Sequence, residues 1–113
     1  MYDLEERTLA FAKAVRTFTK KLPRTIENEE DIRQLARASA SVGANYIEAN
    51  ESLGEKEKRM RMKISRKESK EARFFACLLD TGEDKLTEEE RLRIIQEASE
   101  LTSIFGAILK KIP

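Results

Sequence analysis

Four stretches of the chain carry apolar residues at alternating spacings of three and four, which keep one stripe of a helix facing a partner. In the first, Leu4, Phe11, Val15, Phe18 and Leu22 share a face and predict a helix over about 3–22. Lys20 and Lys21 suit its negative end, and Pro23 stops it. The second stretch predicts a helix over about 28–53, with Asn28 as cap, acidic Glu29, Glu30 and Asp31 behind it, and a seam of Ile32, Leu35, Ser39, Val42, Tyr46, Ala49 and Leu53. The third, over about 55–80, opens with a capping box of Ser52 and Glu55 and closes at Thr81–Gly82. Its seam of Met62, Ser65, Ser69, Ala72, Phe75 or Ala76, and Leu79 is thin and polar in its first half. The fourth, over about 87–112, has Thr87 and Glu90 as a second capping box and Ile94, Ala98, Leu101, Phe105, Ile108 and Ile112 as its seam.

The connections are short, so consecutive helices are expected to lie antiparallel. The expected fold is all-α: an antiparallel up-down-up-down four-helix bundle, one domain spanning residues 1–113. Two prolines and four glycines are few for a chain of 113 residues, which disfavours turn-rich β folds. The expected core includes Phe11, Phe18, Val42, Phe75, Leu79, Leu101 and Phe105. Between Ala36 and Asn50 the only charges are Arg37 and Glu48, and Ala38, Ala40, Ser41, Gly43 and Ala44 lie all round the helix. Such a surface predicts cover on more than one side, hence a contact beyond the bundle itself.

Composition narrows the chemistry. The longest apolar runs have six residues, far short of the roughly 20 of a membrane span. The start Met1–Tyr2–Asp3–Leu4–Glu5–Glu6 is not a secretion signal, so the expected location is cytoplasmic, with no membrane partner. The single cysteine, Cys77, excludes an internal disulfide framework, and its place in an apolar run predicts a small core residue rather than a reactive thiol. With no histidine, Glu-x-x-His di-iron sites, Cys/His zinc sites and Ser/His or Cys/His catalytic pairs have no means of forming. Glu48 with Glu51 and Glu68 with Glu71 are the remaining paired carboxylates, and abundant neighbouring lysines and arginines favour salt bridges over a metal. The expectation is a protein that is not an enzyme, with no cofactor and no metal.

Net charge is +1, so any case for nucleic acid rests on local charge. Lys56, Arg59, Lys63, Arg66, Lys70 and Arg73 are spaced three, four, three, four, three, forming one cationic stripe. Between Lys56 and Arg73 nine basic residues face three acidic ones, a local balance of +6 that leaves −5 for the rest. Such a stripe predicts a phosphate-binding track. The plain alternative is a solvated face partly neutralised by Glu55, Glu57, Glu68 and Glu71. No aromatic residue interleaves the stripe, so contacts to the backbone with little sequence preference are expected rather than base stacking. Met60 and Met62 read as soft packing residues before they read as an adaptable surface.

The stretch Ser41–Val42–Gly43–Ala44–Asn45–Tyr46–Ile47–Glu48–Ala49–Asn50–Glu51, followed by Lys67–Glu68–Ser69–Lys70–Glu71–Ala72–Arg73–Phe74–Phe75 and Leu78–Leu79, resembles bacterial four-helix bundle proteins, among them those encoded in intervening sequences of large-subunit ribosomal RNA genes. Asn45, Tyr46, Glu48, Asn50, Glu68 and Glu71 belong to that signature and are expected to be structural. The resemblance is specific over about Arg37 to Leu79. It implies a cytoplasmic homopentamer, and kinship with accessory proteins of diversity-generating retroelements, which work with a reverse transcriptase and nucleic acid. The chain departs from the pattern at Lys58 and Arg66, where apolar residues are expected, and in the order of Ser69 and Ala72. Those departures bear on packing in early helix three.

Two functions compete. One is an oligomeric, non-enzymatic protein that binds RNA or DNA non-specifically through the stripe. The other is an adaptor for protein partners built on the small-residue surface of helix two. If Glu48 is buried, Arg37 or an arginine of helix three such as Arg73 is its expected partner.

Overall fold

The Asp3 carboxylate accepts the Glu5 backbone N–H (3.1 Å) and starts α1, Leu4–Thr19. The computed structural model describes residues 3–113, and the helices that follow are α2, Ile26–Asn50, α3, Glu55–Leu78, and α4, Lys85–Lys111. No strand occurs among the described residues. Each helix packs on the next and α4 returns to α1, so the antiparallel up-down-up-down four-helix bundle is the fold. None of these helices is long and apolar enough to cross a membrane.

α2 and α4 start about two residues earlier than expected, and α3 starts at Glu55 as expected but without its expected cap, because other residues hold the helix ends. Thr25 caps α2, its hydroxyl accepting the Asn28 N–H (3.1 Å), so the helix begins before Asn28. Asn28 is buried and serves the tertiary structure. Its side-chain amide donates to the carbonyls of Pro23 (2.9 Å) and Asp80 (2.8 Å) and accepts the Asp80 N–H (3.0 Å). One residue thereby ties the α1–α2 loop to the α3–α4 loop. Gly54 precedes α3 without a side-chain cap, since the Ser52 hydroxyl donates instead to the Ala49 carbonyl (2.7 Å). At α4 the cap is Asp84, which accepts both the Thr87 N–H (2.9 Å) and hydroxyl (2.7 Å). The α3–α4 turn passes through left-handed Gly82 and Glu83, at φ 71° and 65°.

Phe11, Phe18, Val42, Leu79, Leu101 and Phe105 are buried as the spacing predicts, whereas Phe75 is only half-buried. α3 supplies small groups to the core: Met62, Ser65, Ser69, Ala72 and Ala76. The Ser65 hydroxyl donates to the Val42 carbonyl across the α2–α3 seam (2.9 Å), and the Ser69 hydroxyl to the Ser65 carbonyl (2.9 Å). These bonds let a polar seam be buried without orphaned hydroxyls. The exchanged pair Ser69 and Ala72 is fully buried, while Lys58 is half-buried and Arg66 exposed. Two further expectations fail. Leu53 lies beyond the end of α2 and is fully exposed, and Cys77 is exposed because the α3 seam runs through Ala72 and Ala76 on the other side of the helix.

The α1–α4 seam is the open one. Arg7 donates to Glu97 and Glu100 (2.8 Å each) near one end, and Lys21 to Glu90 (2.6 Å) near the other. Between them lies a cleft of about 570 Å³ lined by Ala10, Phe11, Ala14 and Ile94 among others. The hydrogen bond that Arg7 donates to Glu97 pushes its pKa upward, beyond its already high ordinary value.

Candidate nucleic-acid interface

The six-cation stripe divides by residue type. The three arginines, seven residues apart, lean toward α4. Arg59 donates to the carbonyls of Ile112 and Pro113. Arg66 lies over Gly106, so close that a Cβ there would stand 3.4 Å from its Nε. Arg73 donates to the Ser99 hydroxyl (3.0 Å). The three lysines, Lys56, Lys63 and Lys70, also seven apart, are exposed. At 100° per residue they fall within an arc of about 40° on the helix, and Lys67 widens that arc to about 60°. Among the described residues, none of Lys56, Lys63, Arg66, Lys67, Lys70 or Arg73 forms an ion pair.

Two of the four carboxylates near this face, Glu68 and Glu71, are engaged from α2. Glu68 is buried against α2, its Oε2 3.5 Å from Arg37 Nη1. Glu71 Oε1 lies 3.4 Å from Arg37 Nη2. One arginine of α2 thus engages both carboxylates of the Glu-x-x-Glu pair, Glu68 buried in the seam and Glu71 partly exposed beside the lysines. Lys63, Arg66, Lys67 and Lys70 line a shallow hollow with Leu109 of α4 and Glu71 at its edge. A second hollow runs from Arg66 past Gly106 to Lys110 and Lys111. Lys110 and Lys111, which the sequence assigns only to the dipole of the last turn, extend the positive surface across α4.

Surface charges of one sign on one face, unpaired, attract polyanions and release their counterions on binding. The arrangement offers no nucleophile–base pair, and no cluster of three or more His, Cys, Asp or Glu side chains able to hold a metal exists among the described residues. Arg59 takes no direct part in the exposed track, since its guanidinium is occupied by backbone carbonyls. Lys67, four residues after Lys63 and three before Lys70, joins it by the same three-four spacing, although the six-cation stripe leaves it out.

The sequence pattern of the 23S rRNA-intervening sequence protein family matches residues 2–107. The chain belongs to that family. Its fold is similar to the crystal structure of a protein of unknown function from the S23 ribosomal protein family of Bacteroides thetaiotaomicron, with a TM-score of 0.79 over 96% of this chain and 100% of that one, at 22% identity. No curated protein matches the chain.

Within this family member the signature residues fasten α2 to the other three helices. Asn45 donates to the Ser41 carbonyl and hydroxyl (3.0 Å each), and its own carbonyl accepts from Arg61 Nη1 on α3 (3.0 Å). Tyr46 meets Phe105 of α4 with ring centroids 5.9 Å apart. Asn50 donates to Glu5 of α1 (3.3 Å). Glu48 is exposed, 4.0 Å from Arg61 rather than from Arg37 or Arg73, so the buried carboxylate at this seam is Glu68.

Proposed function

We propose that the protein is a non-enzymatic, homo-oligomeric bundle that binds RNA or DNA along α3, through the phosphate backbone and with little sequence preference. The observation that carries this reading is the pairing on α3: Lys56, Lys63, Lys67 and Lys70 are outward and unpaired, while Glu68 is buried and Glu71 is engaged by Arg37. A merely solvated helix surface interleaves its charges. Membership of a family named for 23S rRNA intervening sequences is consistent with a life near nucleic acid.

Binding of mixed-sequence RNA and DNA, followed by fluorescence anisotropy at 50 mM salt, tests the reading. Four phosphate contacts, from Lys63, Arg66, Lys67 and Lys70, give a loss of about a hundredfold in affinity between 50 and 200 mM salt. The triple variant Lys63→Glu, Lys67→Glu, Lys70→Glu is expected to abolish binding with the helical content unchanged. Absence of binding at 50 mM salt, or indifference to the triple variant, overturns it.

A second reading, an adaptor for a protein partner, draws on the outer face of α2, where Ala44 and Ile47 are exposed beside half-buried Ala40. On that reading substitution at Ala44, not at the lysines, removes the activity.

A further inference from the structure

We infer that the α3 track takes single-stranded nucleic acid, with one unpaired base stacked on Phe74. This rests on the backbone-binding reading above and deepens it. Whereas Phe11, Phe18 and Phe105 are buried and Phe75 is half-buried, Phe74 is 59% exposed. It stands four residues beyond Lys70, and at 100° per residue it projects inside the arc set by Lys70 and Lys67. Lys63, Lys67, Lys70 and Phe74 therefore form one row, three cations and then a ring, over about 16 Å of helix.

The ring is held rather than free to collapse. Phe75, half-buried, meets it edge-on, with centroids 5.5 Å apart and planes at 77°. Beside it is an open hollow of about 720 Å³ bounded by Lys70, Arg73, Phe74, Phe75 and Cys77, with Glu71 at its rim. A flat ring flanked by two cations matches a nucleobase whose own phosphates neutralise those cations. Single-strand binders combine these two parts, a positive groove for the backbone and an aromatic face for the base. A duplex keeps its bases stacked inside and has none to offer such a ring. An apolar protein partner matches Phe74 but not the unpaired lysines continuing from it, so charge complementarity selects the nucleic acid.

The chain contains no tryptophan, so Phe74→Trp installs a single reporter at the ring. Titration with a single-stranded oligonucleotide is expected to quench its fluorescence, and titration with a duplex of the same length is not. Phe74→Ala is expected to weaken single-strand binding by about ten- to a hundredfold. It should leave duplex binding and the salt slope unchanged, since no phosphate contact is lost. Phe74→Leu, which keeps apolar surface without a π face, should resemble Phe74→Ala. Full binding by the leucine variant, equal losses on single strand and duplex, or unchanged single-strand affinity in Phe74→Ala each overturn the inference. So does a drop in oligomeric mass of Phe74→Ala, which would make the ring a contact between copies of the chain. Loss of binding in the Lys63, Lys67, Lys70 triple variant alongside full binding by Phe74→Ala would leave the backbone reading standing and remove only the stacked base.

Discussion

Gly43 of α2 lies against Thr8 of α1: a Cβ at 43 would stand 2.9 Å from Thr8 Oγ1 and 3.2 Å from Thr8 Cβ. Thr8 is buried, and its hydroxyl already donates to the Leu4 and Glu5 carbonyls (2.9 and 3.1 Å), so it has no room to retreat. Glycine here sets the distance between two helices rather than a backbone conformation. Gly43→Ala is therefore expected to destabilise despite the roughly 1 kcal/mol that alanine gains over glycine in a helix. Overpacking costs about 1–3 kcal/mol, leaving a net loss of about 1 kcal/mol. In a Thr8→Ala background the hydroxyl that blocks the methyl is gone, and the same substitution should become neutral or stabilising. Thermal melts of the four proteins complete the cycle, and equal effects in both backgrounds would show that the two residues do not clash.

Arg37 and Glu68 make a second, asymmetric pair. Glu68 is buried and its Oε1 has no hydrogen-bond partner, while Arg37 is half exposed and serves Glu71 as well. Removing the arginine strands a carboxylate in the α2–α3 seam. Arg37→Met is expected to cost about 1–3 kcal/mol, toward the lower end because solvent already screens Arg37. Glu48→Gln, by contrast, alters an exposed group 4.0 Å from its partner and should fall within about 0.5 kcal/mol of the parent. Urea titrations distinguish the two, and the ranking reverses if Glu48 is the carboxylate that matters.

The contrast between Glu48 and Glu68 marks where sequence reading stops. Repeats of three and four locate the seams because burial of one stripe repeats with the turn of the helix, so Leu35, Val42, Ala72, Leu101 and Phe105 are legible. The rotation that settles which flanking carboxylate turns inward depends on the neighbouring helix, and no local pattern carries it. Asn28 shows the same limit, since its cap-like place hides bonds to Pro23 and Asp80, the latter far along the chain. The cationic stripe is legible as charge. Its division into arginines that bridge to α4 and lysines that face solvent is not, because it depends on Ser99, Gly106 and the Ile112 carbonyl lying within reach. Phe74 is missed for a different reason: the seam through Ala72 and Phe75 or Ala76 already leaves it out of the core, but the six-cation stripe ends at Arg73 and omits Lys67, so the row that leads to the ring goes undrawn.

Stability should respond to acid and not to neutral pH. The hydrogen bonds from the Thr87 side chain and backbone hold Asp84 below its ordinary 3.8, and Arg91 holds Glu88 below 4.5. Gln96 first, then Arg7, hold Glu100 below 4.5 as well. Each carboxylate is more acidic folded than unfolded, so its contribution is present above the unfolded value and lost as pH falls through the folded one. Arg7 is shifted upward, so its contribution persists through the neutral range and into strong alkali. With no histidine, no side chain of that type titrates in the neutral range. The melting temperature is expected to be flat from about pH 6 to 8 and to fall below about pH 4.5. A transition centred near pH 7 would contradict this assignment.

Self-assembly, part of the proposed function, is expected to use another face of the bundle. Ala40 and Ala44 leave the outer side of α2 shallow beside exposed Ile47, and a second helix can approach such a surface closely. The resemblance implies five copies in a ring, and a ring requires two different patches to meet, since only a two-fold contact matches a patch with itself. Light scattering at micromolar concentration is expected to give about 65 kDa, five times the 13.0 kDa chain. Ala44→Glu places a long charged group on the shallow surface without touching the buried stripe. It should reduce the mass toward 13.0 kDa with helicity intact. Nucleic-acid affinity should fall with it, by a factor that grows with strand length. One row of lysines is screened over about 8 Å in physiological salt, and the remaining strength comes from several rows engaging one strand. A short oligonucleotide that reaches a single row should bind the parent and Ala44→Glu alike. Equal losses on short and long strands would mean that the substitution harms the track itself, and a monomeric parent would remove the ring.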